Sequence, residues 1–173
     1  MFMKTLKKGK SSIKCRQETE RYYLAYGSNL NENQMKERCP GAKRVGTAII
    51  KNFRLSFRYN GNSCSPKKRL TIDKAEGYEV PVGVYIINQK EELELDRKEG
   101  LRMGCYVKQT FSVELQSASG VRPIVAFTYV MPDGRPFIES EDEFNNYVEK
   151  IRNGYEAFGF DSALIDEAIK YSE

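Results

Sequence analysis

The stretch Tyr22-Tyr23-Leu24-Ala25-Tyr26-Gly27-Ser28-Asn29-Leu30 changes character halfway along. Tyr22 to Tyr26 is aromatic and aliphatic, the composition of a strand that packs on a core. Gly27-Ser28-Asn29 are residue types that turns favour, with glycine free to take positive φ. Asn31-Glu32-Asn33-Gln34-Met35-Lys36-Glu37-Arg38 then reads as a short polar helix ending before Pro40. A strand that stops in small residues and feeds a helix leaves backbone N–H groups without helical partners, a seat for an anion. Taken alone, the same residues also read as an ordinary strand–turn–helix connection.

Outward from this stretch, the first strand is expected over residues 21–28 and the helix over 31–38. Arg44 to Tyr59 reads as one long extended segment, with period-two alternation clearest in Phe53-Arg54-Leu55-Ser56-Phe57. Asn60-Gly61-Asn62-Ser63 is a turn, and Ser65-Pro66-Lys67-Lys68-Arg69 continues as a polar loop. Leu70-Thr71-Ile72 reads as a short strand, and Pro81 opens another that runs to Ile87. Asn88 caps a helix whose capping box is completed by Glu91, with Gly100 just past its C-terminus. Tyr106 to Leu115 and Pro123 to Val130 are strands joined as a hairpin around Ser117–Gly120. Ser140 and Glu143 form a second capping box ahead of Phe144, Tyr147, Val148, Ile151, Tyr155 and Phe158 at helical spacing. Asn153-Gly154 weakens that helix locally, and a last helix spans Ser162 to Tyr171. The pattern predicts an α+β fold, a mixed, partly closed β-barrel of five to six strands flanked by helices.

The chain has 173 residues, enough for a single domain with a proper core. The domain is expected over residues 21–173, behind a flexible basic arm at 1–20. Those first twenty residues carry six basic and two acidic side chains, whereas the remainder carries 22 of each. A neutral body argues against nucleic acid as a partner; the basic residues read as a flexible arm, with polyanion contact the lesser alternative there. No segment approaches the roughly 18 apolar residues of a membrane span, and no apolar run opens the chain. A cytoplasmic protein without membrane contact is therefore expected. Cys15, Cys39, Cys64 and Cys105 are scattered and read as free thiols. The chain contains no histidine, which excludes Ser-His-Asp and Cys-His catalysis and most transition-metal sites. Chemistry has to run on Glu, Asp, Lys, Tyr, Ser or Cys.

Leu95-Asp96-Arg97-Lys98-Glu99-Gly100 places a carboxylate at the end of its helix, where the dipole presents partial negative charge. Glu99 there is either a surface residue tolerated among charged neighbours or a carboxyl group whose pKa is raised for use as a base. Together, Tyr26-Gly27-Ser28-Asn29-Leu30, Leu95-Asp96-x-x-Glu99-Gly100, Tyr106, the strand end Tyr129-Val130-Met131 and Gly154-Tyr155-Glu156-Ala157-Phe158-Gly159 resemble the γ-glutamyl cyclotransferase family. The likeness runs in order across residues 22 to about 170 and does not include the basic arm.

The resemblance implies an intramolecular aminolysis. The α-amine of a γ-glutamyl group attacks its own γ-carbonyl, 5-oxoproline forms, and an amino acid or amine leaves. It implies no cofactor and no metal, with Glu99 as general acid/base and Tyr26, Gly27, Ser28, Asn29 and Leu30 as the substrate loop. Tyr106 and Tyr129 match pocket positions, and both also read as strand aromatics with satisfied hydroxyls. The partner implied is a small γ-glutamyl compound, and a homodimer is among the assemblies left open. Also open are removal of a γ-glutamyl group from a larger product and a non-catalytic ligand-binding relative. For the base to work, Glu99 is expected in a cavity rather than on the surface.

Overall fold

A computed structural model describes residues 19–59, 67–132 and 142–172. The elements in chain order are β1 (Arg21–Ala25), α1 (Glu32–Arg38), β2 (Lys43–Tyr59), β3 (Lys68–Ile87), α2 (Gln89–Lys98), β4 (Val107–Ser117), β5 (Gly120–Val130), α3 (Asp142–Phe158) and α4 (Ala163–Tyr171). Nearly all of the expected basic arm, the Asn60–Ser63 turn and the Ser140–Glu143 capping box lie outside the described residues.

The strands form a closed barrel in the order β1-β3-β2-β4-β5. The pairing is mixed: β1 runs antiparallel to β3 and parallel to β5. The expected fold is thus found, with five strands and full rather than partial closure. Two seams are thin, β1 with β5 through two residue pairs and β2 with β4 through Thr47 and Gln116. Side chains lengthen the first seam. The Thr128 hydroxyl donates to the Leu24 carbonyl at 2.6 Å and the Tyr26 hydroxyl to the Tyr129 carbonyl at 2.6 Å.

The largest departures from the sequence reading are in β1 and β3. The first strand ends at Ala25, because Ser28–Leu30 coil into a single 3-10 turn. The two short strands expected around Leu70–Ile72 and Val82–Ile87 are one continuous strand, β3, which also takes in Lys68 and Arg69 from the expected loop. Its pairing with β2 jumps from Lys51–Glu79 to Phe53–Lys74, an irregularity held by Asn52 at φ 61°, whose side-chain oxygen accepts from the Gly77 amide at 3.1 Å. Asparagine is among the few side chains that enter the left-handed region readily. Pro81 is accommodated because β1 pairs with β3 only over Gly83–Ile87.

The expected ends of α2 are present. Asn88 and Glu91 form the capping box, and Gly100 takes the left-handed conformation at φ 66°. Glu91 also accepts from the Gly41 amide at 2.6 Å, which docks the start of α2 on the chain after α1.

The helix α3 continues through Asn153-Gly154 without a break. Gly154 is where it meets the 3-10 turn: a Cβ there would lie 2.6 Å from Leu30 Cβ and 2.9 Å from the Asn31 nitrogen. On the facing strand, a Cβ at Gly83 would lie 2.8 Å from Leu30 and 2.4 Å from the Phe158 ring. Leu30 is fully buried between these glycines, so the turn is clamped between β3 and α3. Among the described residues no helix is long and apolar enough to cross a membrane.

Gly154→Ala tests the clamp. Helix propensity alone would make the change stabilising by about 1 kcal/mol. Overpacking against Leu30 and the Asn31 backbone outweighs that, and a net loss of about 1–3 kcal/mol is expected in chemical denaturation. A variant as stable as the wild type or more so would show that the contact does not hold the turn.

Candidate functional site

The turn Gly27–Leu30 leaves β1 at one end of the barrel, and the C-terminus of α2 faces it. Between them is a small inner chamber of about 30 Å³ lined by Tyr23, Tyr26, Gly27, Ser28, Asn29, Leu70, Glu99, Tyr106, Thr128, Tyr129 and Tyr147. That is room for about one water-sized group. An outer cleft of about 540 Å³ adjoins it and shares Ser28, Glu99, Tyr106 and Tyr147. Glu99 therefore stands where the two spaces meet.

Glu99 is the residue that terminates α2, and its side chain is 17% exposed. Its Oε1 accepts from Arg38 Nη1 at 3.0 Å and Asn29 Nδ2 at 3.3 Å. Burial raises its pKa above the ordinary carboxylate value, and the Arg38 charge and the two hydrogen bonds only partly offset that. A carboxyl group that keeps a raised pKa beside a guanidinium is suited to accept a proton and release it again.

Asn29 is fully engaged. Its amide donates to Tyr23 Oη at 2.7 Å as well as to Glu99, and its oxygen accepts from Arg38 at 2.8 Å and Gln34 at 3.0 Å. Gln34 also donates to Ser28 Oγ at 2.8 Å, so α1 grips the turn through side chains on one face. The Asn31 side chain caps α1 by accepting from the Gln34 amide. Within the turn, the Leu30 and Asn31 amides bond to the Gly27 and Ser28 carbonyls, leaving those of Ser28 and Asn29 without intrahelical acceptors.

The tyrosines are tied to the scaffold. Tyr26 donates to the Tyr129 carbonyl and Tyr106 donates to the Leu70 carbonyl at 2.8 Å. Tyr129 donates to Asp96 at 2.6 Å, and Lys108 binds both Asp96, at 2.8 Å, and Glu92. Burial raises all three hydroxyls well above the usual tyrosine range, so each stays protonated. Tyr23 differs, because its hydroxyl accepts from Asn29 and its own proton has no acceptor among the described residues.

Of the sequence candidates, Tyr26, Gly27, Ser28, Asn29, Tyr106, Tyr129 and Glu99 line one chamber. Leu30 does not line it; its side chain is core, beneath the turn. Gly27 does not use the positive φ expected of it: φ is −119°, and a Cβ there would meet Leu70 at an ordinary 3.6 Å. Sequence reasoning passed over Arg38, Gln34, Tyr23, Tyr147 and Asp96. Arg38 and Gln34 lie four apart on α1, a helical spacing that could have singled them out. Nothing local in the sequence ties Tyr147 to this end of the barrel.

Comparison with known proteins bears on the same segment. The family described as gamma-glutamyl cyclotransferase, AIG2-like matches residues 23–148. Human gamma-glutamylcyclotransferase is 31% identical over 115 residues, 63% of this chain and 58% of that protein. The mouse protein of the same name is 30% identical over 119 residues, 66% of this chain and 62% of that protein. The chain thus spans about three fifths of the length of these curated relatives. A solved structure described as a gamma-glutamyl cyclotransferase superposes with a TM-score of 0.68 at 23% identity, covering 87% of each chain, which is a likeness of fold.

The Glu99 environment has a thermodynamic consequence. With the folded pKa raised, this carboxyl group favours folding below the unfolded carboxylate pKa, and that contribution is lost as pH rises through the folded value. Glu99→Gln does not titrate. Its stability relative to the wild type should therefore improve as pH rises from the ordinary carboxylate range through the raised folded value, by about 1.4 kcal/mol for each pH unit between the two pKa values. Denaturant midpoints measured across that range check this, and a relative stability that declines with pH would mean the pKa is lowered instead.

Proposed function

Because the chain belongs to the γ-glutamyl cyclotransferase family, we propose that it closes γ-glutamyl compounds to 5-oxoproline and releases the attached amine, with Glu99 carrying the protons. The observation that carries this reading is Glu99 itself, a carboxyl group with a raised pKa at the junction of a polar chamber and an open cleft.

The nucleophile comes with the substrate, which suits a chain without histidine. Holding the α-amine against the γ-carbonyl contributes roughly 7–11 kcal/mol in well-oriented intramolecular cases. The ammonium must first lose a proton. Between a model glutamate at about 4.3 and an α-amine at about 7.7–8.0, that transfer is uphill by roughly 4.8 kcal/mol. Burial of Glu99 narrows this gap. The amine then attacks, the carbonyl π electrons move to oxygen, and a tetrahedral oxyanion forms. Donors available to the oxyanion or to the substrate carboxylate are the Ser28 and Asn29 amides and the unpartnered Tyr23 hydroxyl proton. Collapse breaks the bond to the leaving nitrogen, which takes one proton from Glu99; the freed carboxylate then takes the second proton from the ring nitrogen and passes it to the departing amine, which leaves as an ammonium. Arg38 and Asn29 hold the carboxyl group at the junction throughout.

Glu99→Gln should fold and lose 5-oxoproline release by about 10²–10⁴-fold, the usual scale of a lost general acid–base. In the wild type, kcat/KM should fall as pH drops through the Glu99 pKa, on an acid limb that lies above the ordinary carboxylate range. Product release from several γ-glutamyl amino acids, followed by chromatography, tests both. Unchanged turnover in the variant would reject Glu99 as the base.

A further inference from the structure

The outer cleft bears on which amine departs. Its described lining includes Arg38, Lys67, Arg69, Arg97, Lys98 and Lys150, against Glu99 as the one carboxylate. The chain beyond residue 20 is neutral, so this concentration does not follow from composition. Nor is it a run in sequence, since the six come from α1, the start of β3 and the residue before it, the end of α2 and the middle of α3.

A plain structural reason covers part of the set. Arg97 and Lys98 sit in the last turn of α2, where cations answer the dipole, and both reach Glu94, at 2.7 Å and 3.8 Å. Arg38 is committed to Glu99 and Asn29. Neither reason accounts for Arg69, whose guanidinium lies over the Tyr147 ring at 4.5 Å on the cleft wall, or for Lys150. Lys150 is exposed and has no ion pair among the described residues.

We propose that the outer cleft is a leaving-group subsite for an anionic amine, a departing part with two or more negative charges from carboxylates or a phosphate. The proposal rests on the cyclotransferase reading of the inner site. A leaving group with one negative charge gains little, because Glu99 offsets part of the attraction. A dianion engages Arg69, Lys150 and the outer faces of Arg97 and Lys98. A cationic departing group, such as a lysine side chain, is repelled.

The test measures 5-oxoproline release from γ-glutamyl-glutamate, γ-glutamyl-glutamine and γ-glutamyl-lysine, with γ-glutamyl-phosphoethanolamine and γ-glutamyl-ethanolamine as the phosphate arm. The wild type should favour each acidic member over its neutral partner by about tenfold in kcat/KM at low salt, with the lysine compound poorest. The ratio should shrink toward one at high ionic strength and in the Lys98→Glu/Lys150→Glu variant, whose two positions are exposed. Preference confined to one arm would identify the anion as carboxylate or phosphate. Equal turnover of charged and neutral members, or preference for lysine, would overturn the subsite while leaving the cyclotransferase reading intact. No 5-oxoproline from any member would overturn that reading and the subsite with it.

Discussion

A carboxyl group closing a helix at its C-terminus meets the partial negative charge of the last carbonyls, and burying it adds the larger cost of lost hydration. Glu99 bears both. Arg38 and Asn29 hold it in place, yet its pKa stays raised because desolvation outweighs them. The rest of the site is arranged around keeping this unfavourable placement. Glu91 and Asn88 anchor the start of α2, and the left-handed Gly100 ends it where the chain must turn away.

The facing turn is held by packing instead of by charge. Leu30 is buried between two positions that have no room for a side chain, Gly83 on β3 and Gly154 on α3. With Leu30 seated, Ser28 and Asn29 come within reach of Gln34 and Arg38, and through them of Glu99. The hydroxyls of Tyr26 and Tyr106 tie the barrel wall at the same end, each donating to a backbone carbonyl. Most of the aromatic oxygens around the chamber are thus committed to structure, while Tyr23 and Tyr147, whose hydroxyls accept from Asn29 and from the Leu70 amide, keep protons with no acceptor among the described residues.

The two spaces on either side of Glu99 differ in chemistry. The inner chamber is neutral apart from Glu99 and walled by tyrosines; the outer cleft is basic. In the proposed reaction the ring closes at the chamber and the departing amine lies toward the cleft. Variation is therefore expected on the outer side, where Arg97, Lys98 and Lys150 line the cleft and not the chamber.

Local patterns in the chain were enough to read the capping box at Asn88–Glu91, the Gly100 stop, the Ser117–Gly120 hairpin and the amphipathic α3. Each depends on interactions within a few residues, so the signal and its cause lie together. The missing histidines likewise narrowed the chemistry before any fold was known. Joining Leu70–Ile72 to Val82–Ile87 as one strand was not readable, because the pairing with β2 carries that stretch across its irregularity. Gly154 looked like a weak point in a helix and is instead the contact that seats Leu30. Arg38 beside Glu99 and Tyr147 against Leu70 and Arg69 join residues 61 to 78 positions apart, and only the tertiary fold brings them within hydrogen-bonding or stacking distance.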